Sequence, residues 1–144
     1  MNRRKCAERG FTLIELMVVL VIIGLLSTFV ILNVLPSQDR AMVEKARADV
    51  ALLEQAIEMY RLDNMAFPTT EQGLDALIKP PAGLARPERY RTGGYIKRLP
   101  DDPWGRAYQY VQPGERSAFD VYSLGANGRL GGESFDADIG NWKN

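Results

Sequence analysis

The chain has 144 residues, 18 Lys and Arg balanced by 18 Asp and Glu, no histidine and a single cysteine. That length allows one domain of ordinary size. The missing histidine removes the commonest general base, the commonest zinc ligand and every Ser-His or Cys-His arrangement.

The first element is announced by Arg9-Gly10-Phe11-Thr12-Leu13-Ile14-Glu15. Ahead of it, Arg3, Arg4, Lys5 and Arg9 outweigh Glu8, which holds this end in the cytoplasm by the positive-inside rule. From Leu16 to Leu35 only Ser27, Thr28 and Asn33 carry polar side chains, and none is charged. At about 1.5 Å rise per residue the run reaches roughly 30 Å, the thickness of a bilayer core. It is long enough to span a membrane. Glu15 is the only charge between Phe11 and Ser37. An acid at the centre of such a span costs roughly 2.5 to 3.5 kcal/mol, and one near the end costs less but still wants a partner. By itself, Glu15 reads equally well as a helix-start acid favoured by the macrodipole. An ordinary secretory signal places its small-residue cleavage site after the apolar run; here the small residue, Gly10, comes before it.

Pro36 with Ser37 marks a bend or weak point. The pattern then resumes, with Val43, Ala46, Val50, Leu53, Ile57 and Tyr60 at alternating steps of three and four. That is one apolar face of a helix from about Gln38 to Asp63, with Glu44, Lys45, Arg47, Asp49 and Glu58 facing water. A single long helix from Phe11 to Asp63 is expected, ended by Asn64. Thr69 with Gln72 has capping-box form, and Leu74, Leu77 and Ile78 give a short second helix that Pro80-Pro81 stops. From Lys79 to Arg106 the chain is irregular, with seven basic residues against three acidic. Such a segment is a solvated surface or a docking surface. Asp102-Pro103-Trp104-Gly105 is a turn. Ala107–Val111 and Ala118–Leu124, separated by Pro113-Gly114, read as an antiparallel pair. The predicted fold class is α+β, a long helix packed on a small antiparallel sheet.

The end of the chain is a loop in which Gly125, Gly128, Gly131, Gly132 and Gly140 make ordering costly in entropy. Something must tie it down. Calcium suits the task, since it takes about six to eight oxygens in loose geometry. Asn127, Ser134, Asp136 and Asp138 supply side-chain oxygens, and the carbonyls of Leu124 and Arg129 are plausible extras. The spacing is not that of an EF-hand, so a plain series of turns remains the alternative. Asp101 with Asp102, or Asp136 with Asp138, could be cast as catalytic carboxylates. Adjacent acids in Gly and Pro turns are usually turn formers or ligands, so no enzyme is expected.

The order of cationic tag, Gly10, Phe11, Glu15 and apolar run resembles the class III leader of type IV pilins and pseudopilins. That resemblance implies a prepilin peptidase cutting between Gly10 and Phe11, with N-methylation of Phe11. It gives Glu15 an assembly role, pairing with the terminal amine of a neighbouring subunit. A buried pair of this kind adds little net stability but sets register. Removing the tag takes four basic and one acidic residue from 18 and 18, leaving 14 against 17; a mildly acidic remainder argues against a nucleic-acid partner. It also removes Cys6, so no disulfide can staple the tail.

Tyr60-Arg61-Leu62-Asp63-Asn64, Phe67-Pro68-Thr69-Thr70-Glu71-Gln72-Gly73-Leu74, Leu99-Pro100-Asp101-Asp102-Pro103-Trp104-Gly105 and the stretch from Ser123 to Trp142 are similar to the major pseudopilin family of type II secretion systems. The resemblance implies a Ca2+ ion in the C-terminal loop, held by Leu124, Asn127, Arg129, Ser134, Asp136 and Asp138. One departure stands out: the family usually has Asp where this chain has Asn127, and one ligand charge fewer weakens calcium binding. The implied organisation is a leader over residues 1–10, a membrane and filament-core helix over 11–35, and a periplasmic globular domain over 36–144. The implied location is the inner membrane, crossed once, with the N-terminus cytoplasmic. The implied partners are further copies of the chain in a helical filament, minor pseudopilins, the prepilin peptidase, and an inner-membrane assembly platform with its ATPase. The implied function is a pseudopilus that drives export of proteins across the outer membrane. A type IV pilin of an adhesion or twitching filament, and a membrane-anchored calcium-binding domain, are the alternatives. The missing cysteines and the calcium-like loop speak against the first.

Overall fold

A computed structural model describes residues 10–142, with the side chains of residues 29–36 outside the description. The tag residues Arg3, Arg4, Lys5, Cys6, Glu8 and Arg9 lie outside the described residues. The chain divides into two compact units, Met1–Gln38 and Asp39–Asn144.

Helix α1 spans Leu13–Asn64. Its start is set by Thr12, whose hydroxyl oxygen accepts the Glu15 N–H at 3.3 Å and whose carbonyl accepts the N–H groups of Glu15 and Leu16. This satisfies amides that the first turn leaves without helical partners. The helical assignment runs through Pro36 and Ser37. At the other end Met65 takes a left-handed φ of 64°, and the Asn64 amide donates to the Tyr60 carbonyl at 2.9 Å and to the Tyr95 hydroxyl oxygen at 2.8 Å.

In the first unit, Phe11, Leu13, Ile14 and the large apolar side chains from Leu16 to Leu26 are all exposed. Among the described residues no helix is long and apolar enough to cross a membrane. The predicted span, Leu16 to Leu35, runs on into positions whose side chains lie outside the description.

In the second unit, the expected apolar face of α1 forms one wall of the core. Ala46, Val50, Leu53, Ala56, Ile57 and Tyr60 are buried. Most of this face packs with Leu74, Leu77, Tyr108, Tyr110, Phe119 and Val121. Each fully buried Val, Leu, Ile or Phe among them contributes roughly 1.5 to 3 kcal/mol. Val43, at the edge of the face, stays partly exposed. Asp49, expected in water, is instead half-buried, and its carboxylate accepts from the Lys45 ammonium at 2.6 Å and the Tyr108 hydroxyl at 2.9 Å.

Three short strands make the sheet, β1 Gln109–Val111, β2 Asp120–Ser123 and β3 Ile139–Gly140, in the order β1-β2-β3 and antiparallel throughout. The predicted pair is present but shorter, because Ala107 bridges to Asp101 instead of extending β1. β3 was not expected. Two residues are too few to show a period of two, and only pairing with β2 makes them a strand. The Thr69–Gln72 box forms reciprocally at 3.0 and 3.2 Å, yet it leads into a 3-10 turn at Leu74–Leu77 rather than an α-helix. The segment before Pro80-Pro81 is too short for more. Nor is the basic segment merely solvated: the Tyr60, Tyr90 and Tyr95 rings meet edge-on with centroids 5.2 to 6.3 Å apart. Tyr90 donates to the Ala76 carbonyl at 3.0 Å, leaving Lys79, Arg86, Arg89, Lys97 and Arg98 exposed around it.

Candidate functional site

Two regions carry the residues singled out by the sequence. At the N-terminus, Gly10 and Phe11 precede the first helical residue and are exposed. The peptide bond between them is non-helical, and a Cβ at Gly10 would meet nothing within 4 Å. Cutting that bond would break no turn of α1. Glu15 sits in the first turn, exposed, and pairs with no basic side chain among the described residues. The motif Thr12-x-x-Glu15 also has capping-box spacing, a signal in the sequence that the membrane reading overshadowed.

The C-terminal loop is held at both ends. At its start, the Ser123 hydroxyl donates to the buried Asp102 carboxylate at 2.8 Å. At its close, the Asn141 side chain accepts the Val121 N–H at 3.0 Å and donates to the Phe119 carbonyl at 3.0 Å. Between them Gly125 has φ 64°, and a Cβ there would fall 2.7 Å from the Ala137 carbonyl oxygen. The two limbs of the loop touch at that point, so only glycine fits. The Ala126 N–H donates to the Phe135 carbonyl at 2.9 Å and joins them again.

The six residues expected to bind calcium all lie on this loop. Leu124 comes directly after β2 and is half-buried. The Asn127 side-chain oxygen accepts the Arg129 N–H at 2.8 Å, an Asx turn. Ser134, at φ 57°, opens a 3-10 turn with Asp136. Both are exposed, as are Asn127 and Arg129, while Asp138 is half-buried. One Asp138 oxygen accepts the Gly131 N–H at 2.9 Å, and the other is buried with no hydrogen-bond partner among the described residues. Burial pushes the nearby Tyr122 phenol up, and the carboxylate of Asp138 adds to it. Among the described residues no group of three or more His, Cys, Asp or Glu could hold a metal ion. A donor set in this loop would draw on hydroxyl, amide and carbonyl oxygens as well as carboxylates. Such a set is hard and all-oxygen, and the Asp138 oxygen is the one buried carboxylate atom without a hydrogen bond among the described residues. The residues fit calcium in kind.

Residues 33–142 match the family described as type II secretion system protein G, and residues 5–31 match the prokaryotic N-terminal methylation motif. The chain belongs to the type II secretion protein G family. Type II secretion system core protein G of Pseudomonas aeruginosa is 51% identical over 144 residues, covering 100% of both chains. That of Vibrio cholerae is 53% identical over 135 residues, covering 94% of this chain and 92% of its own. A crystal structure of the major pseudopilin from the type 2 secretion system of enterohaemorrhagic Escherichia coli aligns with a TM-score of 0.65 and 46% identity, over 76% of this chain and 94% of that one. Within the protein G family frame, the methylation-motif match takes in Gly10, Phe11 and Glu15. The protein G match takes in the sheet and the whole C-terminal loop. What sequence reasoning missed in this region is how the loop is held: by Asp102 through Ser123, by Asn141, and by Arg106, whose guanidinium donates to the Gly125 and Ala126 carbonyls.

Proposed function

We propose that this chain is the structural subunit of a type II secretion pseudopilus. In this reading residues 1–10 are removed, Phe11 is methylated, and the apolar stretch from Phe11 onward anchors the subunit in the inner membrane before packing against copies of itself. The carrying observation is the apolar side chains from Phe11 to Leu26, all exposed in the single chain and headed by a carboxylate with no basic partner among the described residues. Such a surface in a protein G family member needs a lipid or protein environment. Assembly then involves minor pseudopilins, the prepilin peptidase and an inner-membrane platform with its ATPase, and the filament serves protein export across the outer membrane. We further propose that Leu124, Asn127, Arg129, Ser134, Asp136 and Asp138 supply oxygens to a calcium ion that neutralises the loop carboxylates and orders the loop for contact with a neighbour. The orphaned Asp138 oxygen supports this.

The test is Glu15→Gln in a secreting strain. Intact mass should show loss of residues 1–10 plus one methyl group in both wild type and variant, and filaments should be sheared from wild-type cells only. Filaments at wild-type yield, or an unprocessed Met1 in the wild type, would overturn the reading.

A further inference from the structure

Asp102, Arg106 and the first residues of the C-terminal loop form a bridge that family membership does not explain. Asp102 is 4% exposed. One of its oxygens accepts the backbone N–H groups of Trp104 at 3.0 Å and Arg106 at 2.7 Å. The other accepts the Ser123 hydroxyl at 2.8 Å, and the Ser123 oxygen in turn accepts the Gly125 N–H at 3.3 Å. The Arg106 Nε lies 3.6 Å from that same carboxylate and is buried without a hydrogen-bond partner among the described residues. Its Nη2 donates to the Gly125 carbonyl, and its Nη1 to the Ala126 carbonyl at 3.5 Å. The Trp104 ring lies 6.0 Å from the guanidinium carbon. On the remaining side a Cβ at Gly128, where φ is 68°, would come within 2.6 Å of Nη1.

A guanidinium is charged at every working pH and presents its donors in a rigid fork. Here that fork faces two successive carbonyls while a buried carboxylate balances its charge. Fixing the Gly125 and Ala126 carbonyls fixes the 125–126 and 126–127 peptide planes, and so the path of the chain from Gly125 to Asn127. We propose that Arg106 is a positioning residue for the C-terminal loop, a permanent, half-buried cation that holds the start of the loop in place whether or not a metal ion is bound. The role in metal binding rests on the calcium reading above; the role in ordering the loop does not.

The test uses the full-length chain in mild detergent, as wild type and as Arg106→Lys, which keeps the charge but loses the fork. In excess chelator, hydrogen exchange at the Ala126 amide and proteinase K cutting between residues 124 and 140 should both rise about tenfold in the variant, with β1 amides unchanged. Loop protection at the wild-type level overturns the proposal. In a calcium titration, the concentration that restores protection should be several-fold higher for the variant. If calcium changes nothing in the wild type, the metal reading fails, and Arg106 is judged on the chelator result alone. Should Arg106→Lys lose β1 protection as well, the wild type decides. Separate, exchange-protected NMR signals for the Arg106 Nη protons support the bridge, and averaged signals overturn it.

Discussion

Replacing Asp120 by Asn tests how the 115–117 turn, on which the close of the C-terminal loop rests through Asn141, is held. Asp120 is 5% exposed. One oxygen accepts the N–H groups of Glu115 at 2.8 Å and Arg116 at 3.1 Å; the other accepts the Ser117 N–H at 3.1 Å and its hydroxyl at 3.2 Å. In Asn, whichever way the amide is turned, an NH2 group faces one of these two sets. Against the Glu115 and Arg116 N–H groups both bonds give way to donor–donor contact. Against Ser117 the hydroxyl turns to accept, giving its proton to the Phe119 carbonyl, so only the N–H bond is lost there while the bonds at the other oxygen lose their charge. Each bond to a charged acceptor is worth roughly 1.5 to 3 kcal/mol when buried. Because the amides here are only partly buried, water recovers some of this, and about 3 kcal/mol in total is the expected loss. For a unit of this size that lowers Tm by on the order of 12 °C. The assay is thermal unfolding in mild detergent monitored by near-UV circular dichroism, with Glu58→Gln as the control. Glu58 pairs with Arg61 at 2.9 Å, but the two side chains are 43% and 45% exposed. Losing that pair should cost less than about 0.5 kcal/mol. Asp120→Asn melting within about 3 °C of wild type would refute the reasoning. Asn141 carries a second consequence, because its amide donates to the Ser117 hydroxyl oxygen at 3.2 Å: loosening the 115–117 turn should also loosen the loop's close.

Leu53 is fully buried and its neighbour Leu52 is 48% exposed. Leu53→Ala should destabilise by roughly 2 to 5 kcal/mol and Leu52→Ala by under about 1 kcal/mol, and equal losses in denaturant unfolding would show that the buried face of α1 is drawn wrongly. Burial pushes the Tyr90 phenol up to about 12 and raises Tyr60, Tyr95, Tyr108 and Tyr110 as well. Their contribution to stability is therefore complete below about pH 10 and lost as pH rises toward 12 and beyond, since the unfolded chain releases protons that the folded one keeps. Phenolate absorbance and loss of near-UV signal should rise together in that window; phenolates forming near pH 10 with the fold intact would count against the cluster. Adding a chelator should lower Tm and increase cutting between Gly125 and Gly140, and identical melting curves would remove calcium from the account.

Much of the fold was legible because long helices write their packing into a period. Val50, Leu53, Ile57 and Tyr60 recur at helical spacing, and all four are buried on one face. The turn at Asp102-Pro103-Trp104-Gly105 was legible for a similar reason, since Pro and Gly restrict the backbone locally. Asp49 was misread because its environment comes from Tyr108, far along the chain. The basic side chains of the 79–106 segment are exposed as expected, but the packing of Tyr90 and Tyr95 was not legible, because Tyr60 and Ala76, which meet them, belong to other elements. The sequence does name the candidate loop residues. It does not reveal that Asp138 keeps one oxygen buried and unpaired.

The order of residues by itself determined the cationic tag ahead of Gly10, the apolar run headed by Glu15, and the amphipathic half of α1, because each depends on neighbours within a turn or two. Tertiary structure alone decided the third strand, the bridge from Asp102 through Arg106 to the Gly125 and Ala126 carbonyls, and the Asn141 tether. Those contacts join residues some twenty positions apart, and no local periodicity records which distant carbonyl a guanidinium or an amide will meet once the chain has closed around it.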